Sequence, residues 1–500
     1  MLLSRLARIV VWMAVLTAVA AVAEPPRGVS HYPTVIANGR VIDPETGLDA
    51  VRNIAIADGK IVAISPQPLP ALNRFDATGL VVAPGFIDLH THSPTHFGQQ
   101  LNLQDGITTQ LDLEAGAFPI SAYGDHFAGG AALHFGAAVG HAFVRMQVIE
   151  QQYQPYIFVG QRAGAMAGPS WQQPATAAQI AQMATLLQQG IDQGGLGIGV
   201  LLDYMTDAVN QAELTMLFDV AARNAVPLFI HVRRGDRGDP TGLLEVLAQA
   251  ERSGAALYIC HITHNAMGRI GEWLALLDDA RSRGVEVATE TLSYAAGGTS
   301  ISADVFRKRD WRRLFDIDYS DVQWVATGEW LTESRWHYLQ QHQPHGMVNH
   351  HYVKEAWLEQ ALAWPQMMVA TDALPAFDRD LLTNPNIAGS FSRFLGHYVR
   401  ERGLMSLAEG IARTSFLQAQ WMQQVSSAFA AKGRIQVGAD ADIVVFDPQR
   451  IGAEADYGSP YRPSAGIRAV WVGGRQALDE RGIILGRYSG QRLLGDRAQR

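Results

Sequence analysis

Between Pro33 and Val82 the apolar positions alternate over short stretches, in Val35-Ile36-Ala37, Arg40-Val41-Ile42, Ile54-Ala55-Ile56-Ala57 and Lys60-Ile61-Val62. Asn38-Gly39 and Asp58-Gly59 separate them, and such pairs are hairpin signals because both residues tolerate positive φ. A matching pattern returns in Asp442-Ile443-Val444-Val445-Phe446 and Ala469-Val470-Trp471-Val472-Gly473-Gly474. Residues 24–85 and 433–500 are therefore expected to combine into one small β-sandwich domain.

From 86 to 432 the pattern changes to continuous apolar runs of strand length that alternate with helix-like stretches, the signature of repeated β-α units. The runs are Phe86–Leu89, Thr108–Leu113, Leu133–Val139, Leu196–Leu201, Val226–Ile230, Leu257–Cys260, Glu286–Thr291 and Met367–Thr371. Eight such runs suit a closed (β/α)8 TIM-like barrel of the α/β class, whose catalytic residues stand at the C-terminal ends of the strands. The segment 296–364 before the last run is rich in aromatic residues, among them Trp311, Trp336, His350 and His351. A connection this long is expected to be a lid or substrate-shaping insertion, with a packed helical insertion bearing surface histidines as the alternative.

The first residues depart from both patterns. Two arginines precede an apolar run from Ile9 to Val22, and Ala21-Val22-Ala23 comes before Glu24-Pro25-Pro26. The run is short for a membrane span and ends in a cleavage pattern, so residues 1–23 read as a signal peptide and the chain as exported, periplasmic or secreted. An uncleaved anchor is the alternative. With 48% apolar and 18% charged residues, the 500-residue chain can bury a large core. Its net charge of −8 is spread without basic or acidic blocks, which argues against nucleic acid and for a small-molecule substrate. A single cysteine, Cys260, excludes an intrachain disulfide and a multi-cysteine metal site, and it reads as a buried structural thiol.

Candidate chemistry sits at the predicted strand ends. His90 and His92, at i and i+2, share one face and can share a divalent cation. His231, His261 and Asp372 close the fifth, sixth and eighth runs. A carboxylate there is costly unless a cation or proton compensates it. Imidazole nitrogen mixed with carboxylate oxygen suits Zn²⁺, one or two per chain, with a position left for a water whose pKa falls to about 7. Asp372 is then the group to take that proton and pass it to a leaving amine. A carboxylated lysine, the bridge many enzymes of this architecture place on strand 4, is excluded by count: Lys60, Lys308, Lys354 and Lys432 all lie elsewhere. Glu114 is the best substitute, with Asp112 on the same face as competitor and a capping role as the alternative for either.

With these residues assembled, the chain resembles the amidohydrolase superfamily and, within it, the D-aminoacylase (N-acyl-D-amino-acid deacylase) group. The resemblance covers nearly the whole chain after residue 23 and rests on Ala83–His92, Gly106-Ile107-Thr108-Thr109, Gly140-His141, Thr371–Pro375, Gly389–Arg400 and Gly433–Asp442. It implies that His90 and His92 serve the more exposed metal position, that His231 and His261 bind the other, and that Asp372 is the catalytic acid/base. The group's cysteine after strand 2 is replaced by Glu114, as in a variant branch that this chain resembles. Two cationic positions that can hold a substrate carboxylate are also replaced: a lysine by Thr263, which precedes His264, and an arginine by Asn386. His141, Arg145, Arg233 and His264 are candidate substitutes in substrate binding. Tyr294 matches a tyrosine that contacts the scissile carbonyl, with a packed aromatic as the alternative. The expected activity is hydrolysis of an amide C–N bond by metal-activated hydroxide, in an N-acyl-D-amino acid or a close relative. Cyclic-amide, dipeptide or lactone hydrolysis, and an inactive exported binding protein, are the rival readings.

Overall fold

The computed structural model describes residues 31–127, 129–159, 162–163 and 168–499. The predicted signal peptide lies outside them. Among the described residues no helix is long and apolar enough to cross a membrane.

Eight parallel strands form the barrel: β1 Phe86–Asp88, β2 Ile107–Ala117, β3 His134–Gly140, β4 Ile198–Leu201, β5 Leu228–His231, β6 Leu257–Ile259, β7 Val287–Leu292 and β8 Met368–Ala370. Each falls on one of the eight apolar runs, and each pairs with the next in sequence. Every residue in them is buried, because core covers one face and helices the other, which is why these runs are continuous rather than alternating. The seam between β8 and β1 closes at a Thr91–Ala373 bridge, where Asp372 N donates to His90 O at 2.8 Å and His92 N to Ala373 O at 3.0 Å.

Crossover helices cover the barrel with one apolar stripe each. Helix Ala177–Asp192 opens with a capping box between Thr176 and Gln179, and it buries Met183, Leu187 and Ile191 at helical spacing. Helix Gln211–Asn224 is capped by Asn210 and buries Leu214, Leu217, Phe218 and Ala221. Each large apolar side chain so buried stabilises the fold by about 1.5–3 kcal/mol.

Both ends of the described chain meet in one nine-stranded sheet. Its seam is the antiparallel pair Val81–Pro84 and Ile443–Phe446, with Ile443 opposite Pro84. Strand alternation sorts Val35, Ala37, Ala55 and Ala63 to one cluster and Ile36, Ile54, Ile56 and Ile61 to another. Asp58-Gly59 makes the predicted hairpin turn, with φ of 49° and 76°. Asn38-Gly39 does not turn. It forms a bulge inside the continuous strand Tyr32–Asp43, because both flanks keep the same partner strand and Asn38 N donates to Asn53 Oδ1 at 3.1 Å. Glycine is required there by close approach, since a Cβ on Gly39 would lie 2.3 Å from Val82 Cγ2.

Segment 296–364 is a packed unit of helices and a four-stranded antiparallel sheet, in which Gly297–Ser300 pairs with Met347–His350. Trp311 and Trp336 stack with centroids 4.8 Å apart, and Phe306 meets Trp336 edge-on. The unit is tied to the C-terminal side of the barrel through Tyr204 and Thr299, whose hydroxyls are 2.8 Å apart.

Candidate metal centre

Five strands deliver six side chains to the barrel mouth. His90 and His92 follow β1, Glu114 lies within β2, His231 ends β5, and His261 and Asp372 each stand two residues past a strand. β2 reaches that far because β4 has a glycine where they pass: a Cβ on Gly199 would lie 2.4 Å from Glu114 O. His261 and Asp372 hold φ of 34° and 46°, a region non-glycine residues rarely occupy, so the backbone is turned sharply at these two positions.

The Glu114 carboxylate is central. Its Oε1 is 3.1 Å from His231 Nδ1 and 2.8 Å from His261 Nε2, and its Oε2 is 3.3 Å from His90 Nε2 and 3.4 Å from His92 Nε2. One oxygen thus faces each histidine pair. Asp372 Oδ1 stands 3.4 Å from His90 Nε2 and 3.5 Å from His92 Nε2, and at 17% its side chain is the most exposed of the six. Two triads, His90–His261–Asp372 and Glu114–His231–His261, each bring one donor atom per residue within 4.8 Å of the others.

The surroundings fit a divalent cation. Behind the nitrogen that points away from the centre, three of the histidines have a carboxylate: Glu290 Oε1 at 2.5 Å from His90 Nδ1, Asp112 Oδ1 at 3.3 Å from His92 Nδ1, and Asp203 Oδ2 at 3.8 Å from His231 Nε2. Of these, Glu290 is hydrogen-bonded to His90 Nδ1, which fixes that ring's tautomer and turns its other nitrogen inward. Neutral imidazoles, the form a metal needs, leave an excess of buried negative charge that only cations offset. The titration directions agree. Burial opposes the charged form of His90 and of His92, yet the carboxylates hold both well above the ordinary imidazole range. Burial likewise opposes the charged form of Glu114, yet His90, His261 and His231 hold it well below the carboxylate range. Asp372 is lowered in the same way, burial being outweighed by His90 and His92. Cys260 is buried beside His90 and Glu114, and burial with those carboxylates raises its thiol well above its usual range.

A cleft opens over the centre. His92, Glu114, His231, His261 and Asp372 form its floor, while Thr299, Val305, Phe315, Met347, His350 and Tyr352 of segment 296–364 wall one side. Of the other substrate candidates, only His264 lines it. His141 is hydrogen-bonded to Glu213 at 2.7 Å, and Arg145 is buried in an ion pair with the same carboxylate. Arg233 is bound by Glu245 and the Val209 carbonyl. The Tyr294 hydroxyl donates to Ala455 O at 2.8 Å. These four do not line the cleft; each is held by hydrogen bonds elsewhere in the fold. Missed at the sequence level were Glu290, Asp203, Tyr204, Tyr352 and Arg234. Glu290 left a trace, an acidic residue inside an apolar strand run. Arg234 stood beside the residue that was chosen.

No protein-family model matches the chain. It is 30% identical over 472 residues to an N-acyl-D-glutamate deacylase of Alcaligenes xylosoxydans xylosoxydans, covering 88% of this chain and 92% of that one. It is 26% identical to a D-aminoacylase of the same organism, with 92% and 97% covered. Among solved structures, the N-acyl-D-glutamate deacylase of Bordetella bronchiseptica, crystallised with zinc and a phosphonate mimic of the tetrahedral intermediate, superposes with a TM-score of 0.76 at 28% identity, covering 93% of this chain and all of that one.

Proposed function

The chain belongs to the N-acyl-D-amino-acid deacylase family of metal-dependent amidohydrolases, and from that premise we propose that it hydrolyses the amide bond of an N-acyl-D-amino acid at the centre built from His90, His92, Glu114, His231, His261 and Asp372. The observation that carries this assignment is the Glu114 carboxylate, which presents one oxygen to each histidine pair as a bridge between two cation positions would. The deacylase relatives favour this reading over cyclic-amide, dipeptide or lactone hydrolysis and over a non-catalytic binding protein.

A divalent cation, zinc by the donor set and by the solved relative, supplies Lewis acidity to the scissile carbonyl and acidifies water when bound. His90, His92, His231 and His261 would hold it through the nitrogens turned to Glu114, with Glu290 keeping the His90 ring in register. Asp372 Oδ1 accepts the proton of the attacking water and delivers it to the departing nitrogen, a role open to it because it is ionised and reaches the cleft. Segment 296–364 bounds the acyl and side-chain space and excludes water from it. Residues 1–23 are an export signal, so the protein recovered from the periplasm or medium begins at Glu24.

Metal analysis of purified protein, followed by N-acyl-D- and N-acyl-L-amino acids on the same sample, tests the reading. One or two equivalents of divalent metal and turnover confined to D substrates are expected; metal-free protein, or L preference, would refute it. Asp372→Asn should lower kcat about 100- to 10,000-fold with the fold intact by circular dichroism.

A further inference from the structure

Among the described residues lining the cleft, Arg234 is the one lysine or arginine. The two positions where relatives of the resembled group carry such a cation are closed here. Thr263 Oγ1 lies 2.7 Å from Thr291 Oγ1, Asn386 Nδ2 donates to Thr371 O at 2.7 Å, and neither lines the cleft.

The Arg234 side chain, only 7% exposed, is clamped along most of its length. Its backbone N–H donates to Asp203 Oδ1 at 2.8 Å and its Nε to Asp203 Oδ2 at 3.4 Å. Nη1 donates to His264 O at 2.6 Å and to the Tyr352 hydroxyl at 3.0 Å. The guanidinium carbon lies 5.2 Å from the Phe315 ring centre and 5.8 Å from that of Tyr352. Nη2 makes no hydrogen bond among the described residues. Asp203 faces both Arg234 and His231, so it links this cation to the metal centre, and Asp304, the other carboxylate of that wall, is held by Arg307 and Lys308. A rigid, buried guanidinium with a free edge, one carboxylate away from a metal ligand, is built to receive an oxyanion of a molecule lying on that centre.

We propose that Arg234 anchors a carboxylate of the N-acyl amino acid substrate. The assignment rests on the deacylase reading. The carboxylate is either the α-carboxylate or one on the side chain, and the two are separable by substrate.

Metal-loaded wild type, Arg234→Lys and Arg234→Met are assayed on N-acetyl-D-glutamate, on its α-carboxamide and on N-acetyl-D-glutamine. Arg234→Met should lower kcat/KM for the substrate carrying the anchored carboxylate about 10- to 100-fold, mainly through KM, and change the carboxamide that lacks it less than about threefold. Arg234→Lys, which keeps charge but not the fork, should fall between and serves if the methionine variant does not fold. Whichever carboxamide escapes the loss identifies the carboxylate. Equal losses on all three substrates, or no loss on any, would overturn the assignment while leaving the deacylase reading in place. Failure of the wild type to cleave any of the three, with turnover of other N-acyl-D-amino acids, would overturn the anchor alone; no turnover of any N-acyl-D-amino acid would overturn both.

Discussion

Glu290 is a carboxylate inside a fully buried barrel strand, bound at Oε1 by His90 and at Oε2 by the Tyr258 hydroxyl at 2.9 Å. Replacing it by glutamine leaves the shape but removes the charge that holds the His90 proton, so metal affinity and kcat/KM are each expected to fall about 10- to 100-fold. Chelator competition followed by kinetics on the reloaded enzyme reads both, and unchanged affinity would end this role for Glu290. At this scale the candidate ligand residues were legible because each interrupts or ends an apolar run where a polar side chain needs a reason. The substrate residues were not. His141, Arg145 and Arg233 are as polar as any ligand, but Glu213 and Glu245 hold them away from the cleft, and nothing local to the chain reports those partners.

Elements decide where the ligands stand. β2 carries Glu114 into the centre only because Gly199 lets the two strands approach. Gly199→Ala is expected to push β2 outward, costing about 1–3 kcal/mol and lowering metal content along with activity. Thermal unfolding and metal analysis of the same sample check this, and a stable variant with full metal would show that the strand spacing has slack. The barrel strands were legible because burial on both faces writes a continuous apolar run. The bulge at Asn38-Gly39 was not, since the same two residues serve a turn or a bulge and the partner strand chooses. Segment 296–364 likewise shows its aromatic content in sequence, while its sheet appears only when Gly297–Ser300 meets Met347–His350 across the fold.

At the scale of the molecule, barrel and terminal sheet are joined by a buried cluster. Lys432 Nζ donates to Asp442 Oδ2 at 2.7 Å, and His134 Nε2 of β3 lies 3.0 Å from Asp442 Oδ1. Lys432→Met leaves that carboxylate buried without its cation and is expected to cost about 3–5 kcal/mol in chemical unfolding. Burial opposes the charge of Asp442, but His134 and Lys432 outweigh it and depress its pKa. A depressed carboxylate contributes its full stability above the unfolded value of about 4, and that contribution is lost as pH falls toward the folded value. Wild type should therefore lose stability more steeply than Asp442→Asn between about pH 4 and 2; parallel curves would remove the cluster from the acid response. Burial also opposes the charge of Lys432, whose pKa Asp442 and Asp440 raise, so its contribution holds below the unfolded lysine value of about 10 and fades as pH climbs through the folded one.

By itself the sequence determined the eight barrel strands, set the strand pattern that pairs Val81–Pro84 with Ile443–Phe446 in one sheet, and marked the histidines and carboxylates at strand ends as candidates. Those features follow from burial and periodicity, which each segment carries within itself. Tertiary structure decided that Glu114 stands between two histidine pairs, that Glu290 backs His90, and that Arg234 rather than Arg233 lines the cleft. These depend on contacts between residues up to two hundred positions apart, and closure of the barrel alone sets which side chains then share a space.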